Sequence, residues 1–277
     1  MMKKERSNPT IVYLGPPATH THLACFKYFG NSLQAIPKES LQEVFETVEK
    51  EDVEFGVVPV ENSTEGSVHR TLDLLISSEV KICGEVMMQV SHDLLSQSGR
   101  REDIRKIYSH PQALEQCRTW LRKNLPHAEL AETISTAKAA QMAMEDKAIA
   151  AVASSLAARL YGLRPIESGI EDHIQNYTRF LVLSQQCSEK TGRDRTSILF
   201  SIPHSPGSLF RVLKPFDERK INLTKIESRP VKNKVWEYIF FLDFEGHVSD
   251  APIHEILEEM KDHVLFMKFL GSYPRNP

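Results

Sequence analysis

Cysteine is scarce in this sequence, and the few cysteines stand far apart. The chain has 277 residues and four cysteines, Cys25, Cys83, Cys117 and Cys187. None is paired at the spacing of a zinc site, and dense disulfides are typical of small exported domains. Each cysteine has apolar or neutral neighbours in the sequence. We therefore expect reduced thiols and a cytoplasmic location.

The sequence also lacks a strong excess of charge and long apolar runs. Its 34 Lys and Arg residues nearly balance 37 Asp and Glu residues, which leaves a formal net charge of -3. There is no basic stripe interleaved with aromatic residues, which nucleic-acid binding would need. No apolar run approaches membrane-spanning length, and residues 1–6 are charged but lead into no signal-type segment. The sequence predicts no nucleic-acid partner, no membrane contact and no export.

Metal-binding and phosphate-binding motifs are absent from the sequence as well. His20 and His22 are two positions apart at a predicted helix start, which places their side chains poorly for a shared metal ion. No glycine-rich loop of the phosphate-binding kind follows a predicted strand. We expect neither a metal nor another cofactor.

Short apolar strands alternate with amphipathic helices through the first two thirds of the chain. Strands are predicted at residues 11–15, 55–60, 80–90, 107–108, 129–131 and 148–152. Helices are predicted at residues 19–30, 41–48, 68–76, 136–144 and 154–161, with another from Pro111 past Leu121. Residues 61–66 are expected to form a polar loop. Such alternation predicts parallel α/β sheets that bind ligands at the carboxyl ends of their strands, here as two lobes around a cleft.

The order of the predicted strands and helices changes after a polar linker at residues 184–194. The remaining elements are predicted as strand 197–202, helix 207–219, strand 221–227, strand 236–244, helix 253–263 and strand 265–270. This β-α-β-β-α-β order is the ferredoxin-like plan, which suits a small regulatory module. We therefore predict a two-lobed α/β domain at residues 8–186 and a second domain at residues 195–277.

Within residues 171–183, a polar loop leads directly into a buried strand. Branched and aromatic residues follow Thr178 over strand length, which predicts a β-strand from that residue. Side chains alternate along a strand, so Thr178 and Phe180 should share one face and Arg179 should point to the other. A hydroxyl group is thus expected at the start of a strand beside a fixed cation. On its own, a Thr in this position is usually just a good strand former.

Several short motifs stand in an order that resembles the prephenate dehydratase family. They are residues 59–63 (PVENS), 109–117 (SHPQALEQC), 135–137 (STA), 158–163 (ARLYGL), 176–180 (NYTRF) and 227–230 (ESRP). The resemblance extends over essentially the whole chain, from Tyr13 to Pro274. It implies a two-lobed catalytic domain of the periplasmic-binding-protein type, followed by an ACT regulatory domain.

This family's reaction removes water and carbon dioxide from prephenate and yields phenylpyruvate for phenylalanine biosynthesis, without a metal or redox cofactor. The resemblance implies that Thr178 donates a proton to the leaving hydroxyl group in a dry, preorganised site. The further catalytic residues that it implies are Glu61, Asn62, Ser109 and Gln116. The substrate-binding residues that it implies are Ser63, Thr136, Asn176, Arg179 and Phe180.

The C-terminal domain resembles modules that bind L-phenylalanine as an allosteric effector. The two segments that carry this resemblance contribute Gly207, Ser208, Leu209, Glu227, Ser228, Arg229 and Pro230. Ser208 departs from the family pattern, which more often has Ala there. Related domains commonly pair across a two-fold axis, so the resemblance also implies a homodimer or homotetramer.

Several of the implied site residues have a purely structural alternative. Residues 61–63 could cap the helix that follows, and Ser109 could belong to a helix start. Gln116 could lie on the surface, and Arg179 could pair with a neighbouring carboxylate. His20 stands where the family has an aromatic residue, either as a planar replacement or as a group that tunes the local field near neutral pH.

Two alternative functions remain open from the sequence. An arogenate or broad cyclohexadienyl dehydratase differs in accepting an amino group where prephenate has a keto group. A non-catalytic amino-acid sensor would keep the binding fold and the ACT domain but lose the chemistry. The joint presence of Thr178, Glu61, Asn62 and Gln116 argues against such a sensor.

Overall fold

The chain folds into two α/β lobes followed by a smaller domain in which two helices cover one face of a sheet. A computed structural model describes residues 8–172, 175–230 and 238–275. Within these ranges no helix is long and apolar enough to cross a membrane. The predicted architecture of two lobes and a ferredoxin-like module is confirmed.

The first lobe contains a mixed sheet with helices packed against it. Its elements are β1 (Thr10–Leu14), α1 (His20–Phe29), β2 (Gln34–Lys38), α2 (Leu41–Glu49), β3 (Phe55–Asn62), β4 (Gly66–Ser67), α3 (His69–Ser77) and β5 (Lys81–Gln89). After β5 the chain leaves this lobe, and it returns with one further strand only after completing the second lobe.

The second lobe has its own mixed sheet. Its elements are β6 (Asp93–Ser96), a 3₁₀ turn (Arg101–Asp103), β7 (Lys106–Ser109), α4 (Pro111–Gln116), α5 (Arg118–Asn124), β8 (Glu129–Glu132), α6 (Thr136–Glu145), β9 (Ile149–Ala153), α7 (Ser155–Tyr161) and β10 (Arg164–Glu167). Its strand order is β10-β6-β9-β7-β8. The returning strand, β11 (Tyr177–Ser184), then completes the first sheet in the order β2-β1-β3-β11-β5, with β4 beside β3.

The C-terminal domain packs its sheet directly onto the first lobe. Its elements are β12 (Asp194–Ser201), α8 (Ser208–Glu218), β13 (Leu223–Pro230), β14 (Tyr238–Glu245), α9 (Ala251–Met260) and β15 (Phe266–Pro274), with strand order β13-β14-β12-β15. Leu199, Phe241 and Leu270 share one apolar core with Leu181 and Leu183 of β11. The opposite face of this sheet packs against α8 and α9. The back of the first sheet is therefore covered by the C-terminal domain.

Residue chemistry explains where several helices begin and end. Thr19, Ser40, Ser135 and Ser154 each accept a backbone N–H in the first turn of the helix that follows. Ser40 Oγ also donates to the Glu43 carboxylate at 3.0 Å. These hydroxyl side chains satisfy donors that have no partner within a helix.

Some sequence expectations are corrected by the structure. The sheets are mixed rather than parallel, because the chain crosses between the lobes and β11 runs antiparallel to both β3 and β5. The helix expected from Pro111 past Leu121 divides at Cys117, whose φ of -112° and ψ of 8° interrupt the helix. The polar loop expected at residues 61–66 begins instead as the end of β3. The strand predicted from residue 236 begins at Tyr238 within the described range, and residues 236 and 237 lie outside it.

Candidate active site

A cleft of about 360 Å³ lies between the two lobes. In this cleft the carboxyl ends of β1 and β3 lie opposite the amino-terminal ends of α4 and α6. The polar residues that line it are Thr19, His20, Thr21, Asn62, Glu65, His92, His110, Gln112, Gln116, Ser135, Thr136 and Thr178. In the described part of the chain, no group of three or more His, Cys, Asp or Glu side chains is placed to hold a metal ion.

The hydroxyl group of Thr178 forms part of a small polar network in the cleft wall. Asn62 Nδ2 donates to Thr178 Oγ1 at 2.9 Å and to Asn176 Oδ1 at 2.8 Å. Thr178 and Asn62 also face each other in the ladder between β11 and β3. Thr178 and Asn176 are both buried. The network therefore joins the end of β3 to the start of β11.

The turn that follows β3 fixes the orientation of the Asn62 amide. Asn62 Oδ1 accepts from the backbone N–H groups of Thr64 at 2.9 Å and Glu65 at 3.2 Å. Thr178 Oγ1 is consequently the acceptor of the bond from Asn62, and its own hydrogen remains available to the cleft. A hydrogen bond donated to Oγ1 also stabilises negative charge on that oxygen. This arrangement suits a hydroxyl group that gives its proton to a ligand.

Gln116 lines the second lobe's side of the cleft and pairs with a histidine that no sequence motif singled out. Gln116 Oε1 lies 2.8 Å from His92 Nε2. Burial lowers the pKa of His92, which is only 3% exposed, so the ring is neutral near neutral pH. Because its partner atom is the amide oxygen of Gln116, Nε2 carries the hydrogen and donates it. The –NH₂ group of Gln116 is then left for a ligand. The sequence signal for His92 was its place directly after the extended segment 80–90.

His20 packs against His92 at the edge of the cleft. The two rings meet edge to face with centroids 5.5 Å apart, and His20 Nε2 lies 3.3 Å from the Ser91 carbonyl oxygen. Burial and the neighbouring His92 lower the pKa of His20 to about 4. His20 is therefore neutral at neutral pH. Of the two explanations for His20, this geometry favours a planar replacement for the family's aromatic residue over a group that titrates near neutral pH.

Neutral polar groups and helix ends line most of the cleft, together with the carboxylate of Glu65. Among its described lining residues there is no Lys or Arg. Ser135 caps α6 and Thr136 begins it, so the amino-terminal end of this helix faces the cleft. Unpaired backbone N–H groups at such an end favour anions. The cleft is thus suited to an anionic ligand without a positive side chain.

Most of the predicted catalytic and substrate-binding residues come together here. Thr178, Asn62, Gln116, Thr136 and Phe180 line the cleft, and Asn176 is bonded to Asn62. These residues come from separate segments of the chain, which the β11–β3 pairing and the facing lobes bring into one site.

Ser109 and Ser63 connect backbone segments instead of lining the cleft. Ser109 is fully buried, and its hydroxyl donates to the Val152 carbonyl at 2.6 Å, which joins β7 to β9. Ser63 Oγ donates to the Gln175 carbonyl at 3.2 Å and accepts from the Tyr177 N–H at 2.9 Å. Both hydroxyl groups hold the backbone of the site, and the catalytic role of Ser109 and the substrate contact of Ser63 stay predictions.

Glu61 and Arg179 lie on the opposite face of β3 and β11 from the cleft, because side chains alternate along a strand. Glu61 Oε1 is 3.0 Å from Lys225 Nζ of the C-terminal domain. Arg179 is paired with Glu85 and Asp243 at 2.8 and 2.6 Å. Neither side chain lines the cleft, and Arg179 is paired with carboxylates, as its structural alternative had it. The roles of Glu61 in catalysis and of Arg179 in substrate contact stay predictions.

A second cavity, of about 310 Å³, lies in the C-terminal domain at the start of α8. Its lining includes Gly207, Ser208, Leu209, Tyr238 and Phe240. Gly207 has a left-handed φ of 79°, which glycine adopts without strain. The first of the two predicted effector segments therefore forms a wall of a cavity.

The second predicted effector segment is divided between the two faces of β13. Ser228 and Pro230 pair with the β14 residues that line the cavity. Glu227 and Arg229 face the first lobe instead, where Arg229 Nη2 donates to Asp73 Oδ1 at 2.7 Å. Glu227 and Arg229 therefore do not line this cavity, and their expected contact with an effector stays a prediction.

Comparison with known proteins finds relatives for both parts of the chain. The family model of prephenate dehydratase matches residues 11–188, and that of the ACT domain matches residues 196–262. The bifunctional chorismate mutase/prephenate dehydratase of Aquifex aeolicus is 47% identical over 265 residues. That alignment covers 96% of this chain and 73% of the relative.

Two solved structures share the fold over nearly the whole chain. The prephenate dehydratase of Arthrobacter aurescens in complex with L-Phe has a TM-score of 0.87 at 33% identity and covers 96% of this chain and 90% of its own. GqqA, described as a novel type of quorum quenching acylase, has a TM-score of 0.88 at 29% identity. That match covers 97% of this chain and 98% of GqqA. A shared fold does not determine chemistry, so the roles of individual residues must be argued from the cleft.

Proposed function

The chain belongs to the prephenate dehydratase family, and we propose that Thr178 and Asn62 carry the proton transfer of its reaction. The chain is a hydro-lyase that converts prephenate to phenylpyruvate, water and carbon dioxide in phenylalanine biosynthesis. The observation that carries the proposal is the bond from Asn62 Nδ2 to Thr178 Oγ1 in the cleft wall. It leaves the Thr178 hydrogen available to a ligand.

The proposed step breaks two bonds of the substrate. The electron pair of the bond between the ring and its carboxylate enters the ring as carbon dioxide leaves, and the ring becomes aromatic as the C–O bond breaks. The departing hydroxyl group takes the Thr178 proton and leaves as water. Negative charge on Thr178 Oγ1 is stabilised by Asn62, and a proton from water then restores the hydroxyl group.

Neutral donors are proposed to hold the two carboxylates of prephenate. The amino-terminal end of α6 at Thr136 and the –NH₂ group of Gln116 are available for this purpose. A fixed cation beside the departing carboxylate would stabilise the bound substrate more than the transition state, in which that charge is leaving. The absence of Lys and Arg from the described cleft lining supports this binding mode.

We also propose that residues 8–186 form the catalytic domain and that residues 195–277 form a domain that binds L-phenylalanine as an effector. The ACT family match and the L-Phe complex of the Arthrobacter relative support this assignment. Phe210 and Ile226 are apolar and exposed in this domain, at 68% and 46%. Such surface supports the proposal of a homodimer or homotetramer.

The substrate is tested by incubating purified protein with prephenate or with arogenate at mildly alkaline pH, beside enzyme-free blanks. Chromatography then measures phenylpyruvate and phenylalanine. We expect phenylpyruvate from prephenate at a rate far above the blank. Product from arogenate alone would make the protein an arogenate dehydratase, and no product from either substrate would favour the amino-acid sensor.

A further inference from the structure

A second matched pair of residues lies directly behind Thr178 and Asn62. Arg179 pairs with Glu61 in the β11–β3 ladder, next to the pairing of Thr178 with Asn62. Because side chains alternate, Arg179 and Glu61 are directed toward the C-terminal domain. Each of them is one peptide bond away from a proposed active-site residue.

The guanidinium group of Arg179 is bound on every side at this interface. Its Nε donates to Glu85 Oε2 at 2.8 Å, its Nη1 to Asp243 Oδ2 at 2.6 Å and its Nη2 to Tyr273 Oη at 2.9 Å. Glu85 belongs to the first lobe, whereas Asp243 and Tyr273 belong to the C-terminal sheet. Arg179 therefore fastens β11 to that sheet.

The partners of Arg179 are themselves held in place. Ser197 Oγ donates to Asp243 Oδ1 at 2.6 Å and lies 2.7 Å from Tyr273 Oη. The Arg179 and Asp243 side chains are 7% and 10% exposed, and an unpaired charge at such a site is unfavourable. The C-terminal sheet therefore cannot shift against β11 without moving Arg179 or breaking these bonds.

Lys225 of β13 binds Glu61 in the same way. Its Nζ lies 3.0 Å from Glu61 Oε1 and 3.2 Å from Glu227 Oε2, and it donates to Ser67 Oγ at 2.9 Å. Glu61 and Ser67 flank the turn that fixes the Asn62 amide. Lys225 thus contacts both sides of the segment that orients the partner of Thr178.

The strand that carries Glu61 needs such support because its pairing is interrupted there. Arg179 opposes Glu61, but the next residue, Phe180, opposes Pro59, so Val60 is an extra residue on β3. A bulge of this kind bends a strand and weakens its ladder locally. The ion pair with Lys225 therefore holds Glu61 in place where the ladder between β3 and β11 is interrupted.

The strand that carries Lys225 is paired with β14, which lines the C-terminal cavity. Ser228 and Pro230 of β13 lie opposite Phe240 and Tyr238 of β14, and these two β14 residues line the cavity. The Lys225 side chain binds Glu61 of the first lobe. The cavity and the Glu61 contact are therefore linked through the β13–β14 ladder.

We propose that Glu61 and Arg179 are positioning residues, through which Lys225 and the Asp243–Tyr273 pair of the C-terminal domain fix Asn62 and Thr178 in the cleft. This inference rests on the proposed function of Asn62 and Thr178. It assigns the C-terminal domain a direct part in the geometry of the proton donor. An effector bound against β14 acts through the β13–β14 ladder and this contact without reaching the cleft.

Lys225 offers a test with a matched control. Lys225→Met keeps the length of the side chain but removes the charge, and we expect kcat to fall by about tenfold or more with KM within about twofold, since small misplacement affects the chemical step. Lys225→Arg should restore most of kcat. The control is Lys214→Met, because Lys214 Nζ forms an exposed ion pair with Glu218 Oε1 at 3.3 Å. Its kcat and KM should match those of the wild type. A normal kcat in folded Lys225→Met would overturn the inference.

A double-mutant cycle separates positioning from direct contact with the substrate. Glu61→Gln and Lys225→Met should each lower kcat, and the double variant should be no slower than the slower single variant, because both remove one interaction. If Glu61→Gln is slow while Lys225→Met is normal, Glu61 acts on the substrate and the inference is wrong. Glu61→Gln is nearly isosteric, so it remains a test even if Lys225→Met folds poorly.

A third comparison distinguishes failure of this inference from failure of the proposed function. In a Thr178→Val background, Lys225→Met should slow the residual reaction no further, because its effect passes through Thr178. An equal slowing in both backgrounds contradicts the inference. A wild-type rate in Thr178→Val alone would instead remove the proton-transfer role of Thr178.

Discussion

Asn62 donates a 2.9 Å hydrogen bond to the hydroxyl oxygen of Thr178, and the backbone N–H groups of Thr64 and Glu65 determine the direction of that bond. A turn in the backbone therefore sets the orientation of the Asn62 amide and leaves the Thr178 proton available. No side chain that titrates is involved. The network keeps one arrangement across the neutral pH range, which is what a preorganised donor requires.

Asn62→Asp tests the importance of this direction. The substitution preserves shape but replaces the donating –NH₂ group with an acceptor oxygen, so Thr178 Oγ1 loses its donor. We expect kcat to fall by about 10²- to 10³-fold, the usual effect of losing one such donor. Asn124→Asp is the control, because Asn124 donates to the Trp120 carbonyl in the second lobe. Similar kcat values in both variants would remove Asn62 from the mechanism.

His20→Phe should leave turnover within a fewfold of the wild type but change stability in acid. The pKa of His20 is about 4 in the folded chain and about 6.5 when unfolded, so the unfolded chain binds the proton first as pH falls between these values. His20 therefore destabilises the fold progressively below about pH 6.5. The melting temperature of His20→Phe relative to the wild type should be higher near pH 5 than near pH 7.5. A constant difference would contradict this expectation.

Arg179→Met should destabilise the chain strongly, since it leaves the buried Glu85 and Asp243 carboxylates without their shared partner. We expect a loss of about 3–5 kcal/mol in the free energy of unfolding, measured from urea midpoints. Arg100→Met removes a solvent-exposed pair with Asp103 at 3.0 Å and should shift the urea midpoint far less. Equal losses in the two variants would mean that the interdomain cluster contributes nothing beyond a surface pair.

Gly207→Val should weaken the binding of L-phenylalanine by at least about tenfold, or about 1.4 kcal/mol, in calorimetry. A Cβ atom at Gly207 would lie 3.0 Å from Arg211 Nη1, in a backbone conformation that valine rarely adopts. Gly192→Val is the control, with a similar φ of 88° but open space around it. Unchanged binding in Gly207→Val would place the effector outside this cavity.

Patterns local in the sequence could be predicted well. The strand at Thr178 and the opposite orientations of Thr178 and Arg179 follow from residue type and from strand alternation, and the structure has both. β2 and β10 were not predicted, because they are short edge strands that contain Pro37 and Pro165. Their place depends on the neighbouring strand rather than on their own pattern.

What covers each face of a strand could not be predicted from the sequence. Alternation places Glu61 and Arg179 behind the cleft, but it does not reveal that Lys225 and Asp243 meet them there. That contact depends on how the domain that begins at residue 195 packs on the first sheet. For the same reason His92 escaped notice, since its role is visible only beside Gln116.

Turnover of Thr178→Val with prephenate tests the account most directly. Valine keeps the shape of threonine and removes the hydroxyl group, so we expect kcat to fall by about 10²- to 10⁴-fold, the scale of a lost general acid. Circular dichroism and the melting temperature should show a native fold. Thr196→Val is a control for the same change at a site remote from the cleft, where Thr196 Oγ1 donates to the Gly246 carbonyl. A folded Thr178→Val with a kcat near that of the wild type would contradict the assignment of Thr178 as the proton donor.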